Sequence, residues 1–74
     1  MWNRIKVNSG YEHHWYSNVT NNEYQIYPLL NGFALLIKYD NGFIRTEVKG
    51  TLKVCKGFAE SVEKKKIKAR QDAF

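Results

Sequence analysis

The 74-residue sequence predicts a single small α+β domain, an antiparallel meander of three to five strands packed by one C-terminal amphipathic helix. Three observations favour this fold. Asn-Gly pairs at 31–32 and 41–42 each separate two apolar runs, which is a strong short-range signal for a β-hairpin. The segments beside them alternate between apolar and polar residues, and the period changes from two to about 3.6 after Gly50. We therefore expect a three-stranded meander over residues 23–49 and a helix over residues 51–70.

The second Asn-Gly pair predicts the register of its hairpin. If Asn41 and Gly42 are the two loop residues, Tyr39 lies opposite Ile44, and one face is apolar while the other is mixed. The predicted apolar face carries Leu35, Ile37, Tyr39, Ile44, Thr46 and Val48. The predicted opposite face carries Ala34, Leu36, Lys38, Arg45, Glu47 and Lys49. We expect the helix to cover the apolar face and to leave the opposite face free for a partner.

The first Asn-Gly pair extends the same apolar face. With residues 31–32 as the loop, Ile26 lies opposite Ile37, and Tyr24 joins the buried set. Pro28 has no amide hydrogen to give to a ladder, so the strand should be an edge at that point or the loop should be wider than two residues.

The segment after Gly50 has the pattern of an amphipathic helix. Thr51 is a good N-cap residue, and the apolar positions that follow recur with a period of 3.6. The predicted buried arc carries Leu52, Val54, Cys55, Phe58, Ala59 and Val62. The competing interpretation is a fourth strand over residues 51–56. The helix is favoured because its period continues through Val62.

The first 22 residues predict one or two additional strands. Ile5 and Val7 alternate with polar neighbours, and residues 8–10 form a turn signal. Residues 11–16 then return as a strand, and the polar residues 17–22 form a loop.

The charge of the chain indicates an acidic partner. The net charge is +5, and basic residues far outnumber acidic ones between Arg45 and Arg70. Nucleic acid and an acidic protein surface both fit this asymmetry, whereas a solvated helix face explains it without any partner. The single cysteine, Cys55, excludes an intramolecular disulfide, which predicts a reducing, cytoplasmic location.

The sequence predicts a non-enzymatic protein with no cofactor and no metal. Asp40 flanks a turn, where an aspartate usually bonds its own backbone. His13 and His14 are adjacent on a predicted strand, so their side chains point to opposite faces and cannot share one metal ion. Cys55 lies on the apolar arc of the helix and is expected to act as a small hydrophobe.

The candidate binding residues fall into three groups: a basic helix face, an aromatic cluster over residues 11–16, and the free face of the sheet. Aromatic side chains beside cations can stack exposed bases or anchor a protein interface, although they can also simply cover the sheet. The candidates for partner or nucleic-acid binding are Lys53, Lys56, Lys64, Lys65, Lys66, Lys68 and Arg70 on the helix, Trp15 and Tyr16 in the cluster, and Lys38, Arg45 and Lys49 on the sheet. A sheet edge could also pair two copies of the chain.

Part of the chain resembles a class of small phage-encoded proteins in which a small sheet precedes one helix that opens with a Ser/Thr-Leu pair. The resemblance spans residues 24–63. It is carried by the runs Tyr24-Gln25-Ile26, Asn31-Gly32-Phe33-Ala34-Leu35, Tyr39-Asp40-Asn41-Gly42, Thr51-Leu52 and Phe58-Ala59-Glu60. Several such proteins inhibit host defence, including anti-CRISPR proteins. The resemblance is architectural and carries over no functional residue.

Two functions follow as expectations. The resemblance implies an inhibitor that sterically blocks a host defence or nucleic-acid-processing complex, and the basic charge argues against mimicry of DNA. The alternative is a DNA- or RNA-binding module that uses the basic C-terminal helix, whose lysines would contact phosphates.

Overall fold

The computed structural model describes residues 2–72, with side chains through residue 66, and it confirms the predicted fold class. Five antiparallel strands follow one another in the spatial order of the sequence, and one helix packs on one face of the sheet. The elements are β1 Asn3–Val7, β2 Gly10–Tyr16, β3 Glu23–Leu29, β4 Gly32–Lys38, β5 Ile44–Gly50 and α1 Leu52–Asp72. One or two additional strands were expected in residues 1–22, and two are present.

The core lies between the middle of the sheet and α1. Its fully buried members are Tyr24, Ile26, Leu35, Ile37, Cys55 and Ala59. We call the sheet face on which α1 packs the covered face, and the other the open face. Burying each large apolar side chain contributes about 1.5–3 kcal/mol, so these residues supply most of the stability of the domain.

The first hairpin turns one residue earlier than predicted. Leu29 pairs with Gly32, so the loop residues are Leu30 and Asn31 rather than Asn31 and Gly32. Every cross-strand pair is shifted by two positions, and Ile26 lies opposite Leu35 instead of Ile37. A shift of two keeps each side chain on its face, so the predicted buried set of this hairpin is correct despite the wrong register.

Gly32 is required both by its backbone conformation and by the neighbouring strand. Its φ is +148°, and a Cβ at this position would lie 2.8 Å from the backbone oxygen of Gly50. β4 and β5 therefore approach each other here more closely than a side chain permits. The edge expected at Pro28 is also found, because the pairing of β3 with β2 ends at Ile26.

The second hairpin contains a β-bulge that the sequence analysis missed. Leu35 pairs with Val48 as predicted, but beyond Leu35 the register slips by one, and Lys38 rather than Tyr39 lies opposite Ile44. The loop spans residues 39–43, where the amide of Tyr39 donates to the carbonyl of Phe43 at 2.7 Å. A slip of one reverses the faces of all residues beyond it.

Because of the bulge, several residues of β5 lie on a different face from the one predicted. Ile44 and Thr46 lie on the open face, not on the covered face, because they pair with Lys38 and Leu36. Arg45 pairs with Ile37, which places Arg45 on the covered face instead of the open face. Glu47 is the extra residue of the bulge, and its carboxylate also turns to the covered side, where Tyr39 reaches it.

The helix begins at Leu52, as the predicted N-cap requires. The Oγ1 atom of Thr51 accepts a hydrogen bond from the amide of Val54 at 3.1 Å, and the competing strand interpretation is wrong. The buried stripe is narrower than predicted, because Val54 and Phe58 remain 49% and 37% exposed. A helix on a sheet buries a stripe little more than 100° wide, and these two residues lie beyond its margin. No helix within residues 2–72 is both long enough and apolar enough to cross a membrane.

Candidate binding surfaces

The sheet is wider than the helix that covers it. A helix with its side chains is about 10–12 Å across and neighbouring strands lie about 4.8 Å apart, so one helix covers at most about three strands. Within residues 2–72, α1 packs against β3, β4 and β5 but not against β1 or β2. The covered-face side chains of the first two strands thus form a shelf beside the helix. We define the β1–β2 shelf as Trp2, Arg4, Lys6, Tyr11, His13 and Trp15.

The tryptophans of the β1–β2 shelf close the side of the core. Trp15 stacks on the buried Tyr24 with ring centroids 5.0 Å apart and planes inclined by 30°. Trp2 meets Trp15 edge-on at 5.3 Å. Trp15 thus covers part of the core, as one of the two interpretations of the aromatic cluster expected, while both tryptophans stay only partly buried.

The outer part of the β1–β2 shelf is cationic. The guanidinium carbon of Arg4 lies 4.5 Å from the ring centroid of Tyr11, and both side chains are exposed. His13, two residues after Tyr11 on the same face, is buried, and its ring is T-shaped to that of Phe33 with centroids 6.4 Å apart. Burial lowers the pKa of His13, and the positive charges of Lys56 and Arg4 lower it further, followed by that of His14. His13 is therefore held neutral inside a positive environment.

The open face has a different character. At the end of the sheet where β2 and β4 finish, it has a depression of about 330 Å³ whose lining includes Tyr16, Leu36 and Ile44. Tyr16 and Ile44 are 53% and 55% exposed, and the bulge in β5 is what turns Ile44 to this side. Apolar and aromatic side chains around a shallow depression are a common arrangement for receiving an anchor residue of a partner.

The charges of the open face are largely paired with one another. Lys38 lies 3.6 Å from Glu23. The Oε1 atom of Glu12 is 2.9 Å from His14 Nε2, and it also accepts a hydrogen bond from Gln25 at 3.1 Å. His14 therefore faces away from His13, as strand alternation predicted. Of the two lysines on this face, Lys38 is paired with Glu23 and Lys49 makes no ion pair among the described residues.

Arg45 is engaged at the covered side of β5. Its Nε atom lies 2.9 Å from Glu47, whose other carboxylate oxygen accepts a hydrogen bond from the hydroxyl of Tyr39 at 2.8 Å. Burial and this hydrogen bond raise the pKa of Tyr39 to about 12. Arg45, together with Lys66 of α1, lines a separate depression of about 410 Å³. The prediction of Arg45 on a free sheet face is therefore wrong.

The structure distributes the predicted binding residues over several surfaces. Tyr16, Lys38 and Lys49 lie on the open face, and Trp15 lies on the β1–β2 shelf. Lys53 and Lys56 lie on one flank of α1, whereas the exposed lysines 64–66 follow at the next turns. The side chains of Lys68 and Arg70 lie outside the described residues. The basic residues thus form no single continuous site among the side chains that the structure describes.

A buried carboxylate fastens the loop before β3 to the helix, and sequence reasoning missed it. Glu63 accepts hydrogen bonds from the hydroxyls of Ser17, Thr20 and Tyr24, the Thr20 contact measuring 2.6 Å. Glu63 was not part of the predicted buried arc, although it follows Ala59 by one helical turn and therefore lies on the same side of the helix. A carboxylate in that position requires hydrogen-bond donors, and the loop over residues 17–22 contains them.

The comparisons with known proteins gave no match. No protein-family model, no curated protein and no solved structure matches the chain. Among the described residues, no group of three or more His, Cys, Asp or Glu side chains is placed to hold a metal ion.

Proposed function

We propose that this protein is a small non-enzymatic binding protein that attaches to a partner protein through its open face and blocks that partner sterically. The observation that carries the proposal is the composition of the open face. It combines exposed apolar side chains, a depression at one end of the sheet, a Lys38–Glu23 ion pair and a hydrogen bond between Glu12 and His14.

The paired charges favour a protein over a polyanion as the partner of this face. A phosphate backbone is bound by uncompensated cations, but Lys38 is paired with Glu23. Protein interfaces have an apolar and aromatic centre with a polar rim. Tyr16, Leu36 and Ile44 supply such a centre, and His14 with the Lys38–Glu23 ion pair supplies polar groups beside them.

The resemblance of residues 24–63 to phage-encoded inhibitors supports a blocking role against a host complex. A 74-residue domain is small beside such an assembly, so its effect would come from occupying a surface rather than from chemistry. An uncovered five-stranded face offers most of one side of the molecule for that purpose.

Affinity capture with matched variants tests the proposal. Tagged wild-type protein, Ile44→Lys and Val54→Lys are each exposed to a bacterial lysate with and without nuclease treatment. Ile44 and Val54 are similarly exposed, at 55% and 49%, but only Ile44 lies on the open face. We expect wild type and Val54→Lys to capture the same protein, and Ile44→Lys to capture at least about tenfold less.

The result that contradicts the proposal is equally specific. Equal capture by Ile44→Lys and wild type would show that the open face is not the interface. Loss of all captured protein after nuclease treatment would show that nucleic acid, and not a protein surface, had mediated the contact.

A further inference from the structure

We propose that the β1–β2 shelf is a binding site for single-stranded nucleic acid. This site lies on the face of the sheet opposite to the proposed protein interface. It also differs from the basic end of the helix, where the sequence alone would place phosphate contacts. The shelf combines an exposed stacking pair, Arg4 on Tyr11, with cations contributed by β1 and α1.

The charge of the β1–β2 shelf complements a phosphate backbone. Its described side chains include Arg4 and Lys6 but no carboxylate. Lys56 adds a third cation from the flank of α1 on the side of Glu63, which is hydrogen-bonded to the loop that follows β2. Unlike Lys38 or Arg45, these three cations make no ion pair with a carboxylate within the described residues. They are therefore free to contact phosphates.

The stacking pair complements an exposed base. Tyr11 is 43% exposed, and the guanidinium of Arg4 lies 4.5 Å from its ring centroid. Unpaired bases stack on aromatic rings and on arginine guanidinium planes, and stacking is tolerant of base identity. Behind this pair, the partly buried Trp2 and Trp15 extend the aromatic surface.

The shape favours a single strand over a duplex. Base faces are accessible only where bases are unstacked. A base of a single strand can therefore stack on the Arg4–Tyr11 pair, whereas a base within a duplex cannot. The flank of α1 beside the shelf has a hollow of about 660 Å³ lined by Leu52, Lys53, Lys56, Gly57 and Glu60. A flexible strand can follow the angle between that flank and the sheet, which a stiff duplex cannot.

Intrinsic fluorescence makes the site directly observable. The chain has two tryptophans, Trp2 and Trp15, and both belong to the β1–β2 shelf. An oligonucleotide on the shelf should quench their emission, whereas one held by lysines 64–66 at the helix end should not. Anisotropy of a labelled oligonucleotide measures binding in the same titration. With three cations on phosphates, the plot of log affinity against log salt should have a slope of about −2.

Charge-matched variants separate the site from general electrostatics. Arg4→Glu should weaken binding of single-stranded DNA and RNA oligonucleotides at least about tenfold, and Tyr11→Ala should weaken it several-fold. Lys49→Glu on the open face and Lys65→Glu on the helix make the same charge change as Arg4→Glu and should weaken binding less than about threefold. Circular dichroism of each variant checks that the fold is kept.

Four results would overturn the proposal. They are no anisotropy change at low salt with either oligonucleotide, binding without tryptophan quenching, equal losses in Arg4→Glu and Lys49→Glu, and duplex affinity as high as single-strand affinity. None of them bears on the protein interface proposed for the open face, which is tested after nuclease treatment.

Discussion

The covered face has two halves, β3–β5 and β1–β2, and the core is closed by different side chains in each. Over β3–β5 the helix seals the core with small side chains, Cys55 and Ala59, which let α1 lie close to the sheet. Over β1–β2 no helix lies above the described strands, and the large rings of Trp2 and Trp15 close the core instead. The difference teaches that strands beyond the width of one helix need bulky side chains, and that their outer surface stays open to solvent.

The largest difference between the halves should appear in stability. Leu35 is fully buried under α1, so Leu35→Ala should lower the free energy of unfolding by about 2–5 kcal/mol. Tyr11→Ala, in the uncovered half, should lower it by less than about 1 kcal/mol. Urea unfolding followed by circular dichroism measures both. Equal losses would mean that the two halves are not energetically distinct.

A smaller loss of stability should follow from removing Glu63, which holds the loop between β2 and β3 against α1. Glu63→Ala removes the acceptor of three hydroxyls in and beside the loop that connects β2 to β3. Leaving buried hydroxyls without an acceptor costs about 1–3 kcal/mol. Glu60→Ala is the matched control, because Glu60 is exposed and should change stability by at most about 0.5 kcal/mol. A Glu63→Ala protein as stable as that control would contradict this role.

A third change should stabilise the protein. Gly57 lies on the flank of α1 beside the β1–β2 shelf, and a Cβ added there meets no atom within 4 Å. Gly57→Ala should therefore raise the free energy of unfolding by about 0.5–1 kcal/mol through helix propensity alone. Gly32→Ala is the contrasting case, because its Cβ would collide with the backbone of Gly50. Destabilisation by Gly57→Ala would show that the flank is not open.

The smallest effect concerns alkaline pH and the covered half. Burial and the hydrogen bond to Glu47 raise the pKa of Tyr39 to about 12, and burial and Glu63 raise that of Tyr24 further. Tyrosine in the unfolded chain ionises near pH 10. The folded state thus favours the neutral phenols, and their contribution to stability is full below pH 10 and lost as pH rises through 12. Tyr39→Phe should make urea midpoints between pH 9 and 11 less dependent on pH.

The fold class and most of the core were predictable, because alternation and helical period identify faces without fixing a register. Ile26 and Leu35 were placed on the correct face even though the first turn was misplaced, since the error was an even number of residues. Ile44 and Arg45 were placed on the wrong faces, because a bulge moves the register by one. Asn-Gly signals a turn, but no local pattern signalled the extra residue in β5.

The candidate surfaces were less predictable than the core. Strand alternation correctly separated His13 from His14, but the sequence did not show that α1 stops short of β1 and β2. That limit comes from the widths of a helix and of a five-stranded sheet, which matter only once all five strands are known. Arg4 and Tyr11 come together through the register of β1 and β2, which residue spacing left open.

The buried thiol of Cys55 also makes it possible to measure how often α1 separates from the sheet. It is the only thiol of the chain, it lies beneath α1 with none of its surface exposed, and burial raises its pKa. An alkylating reagent can reach it only while the helix is lifted from the sheet, and only the thiolate reacts. The rate of Cys55 alkylation in native buffer therefore reports how often α1 separates from the sheet. A ligand that holds α1 against the strands should lower that rate.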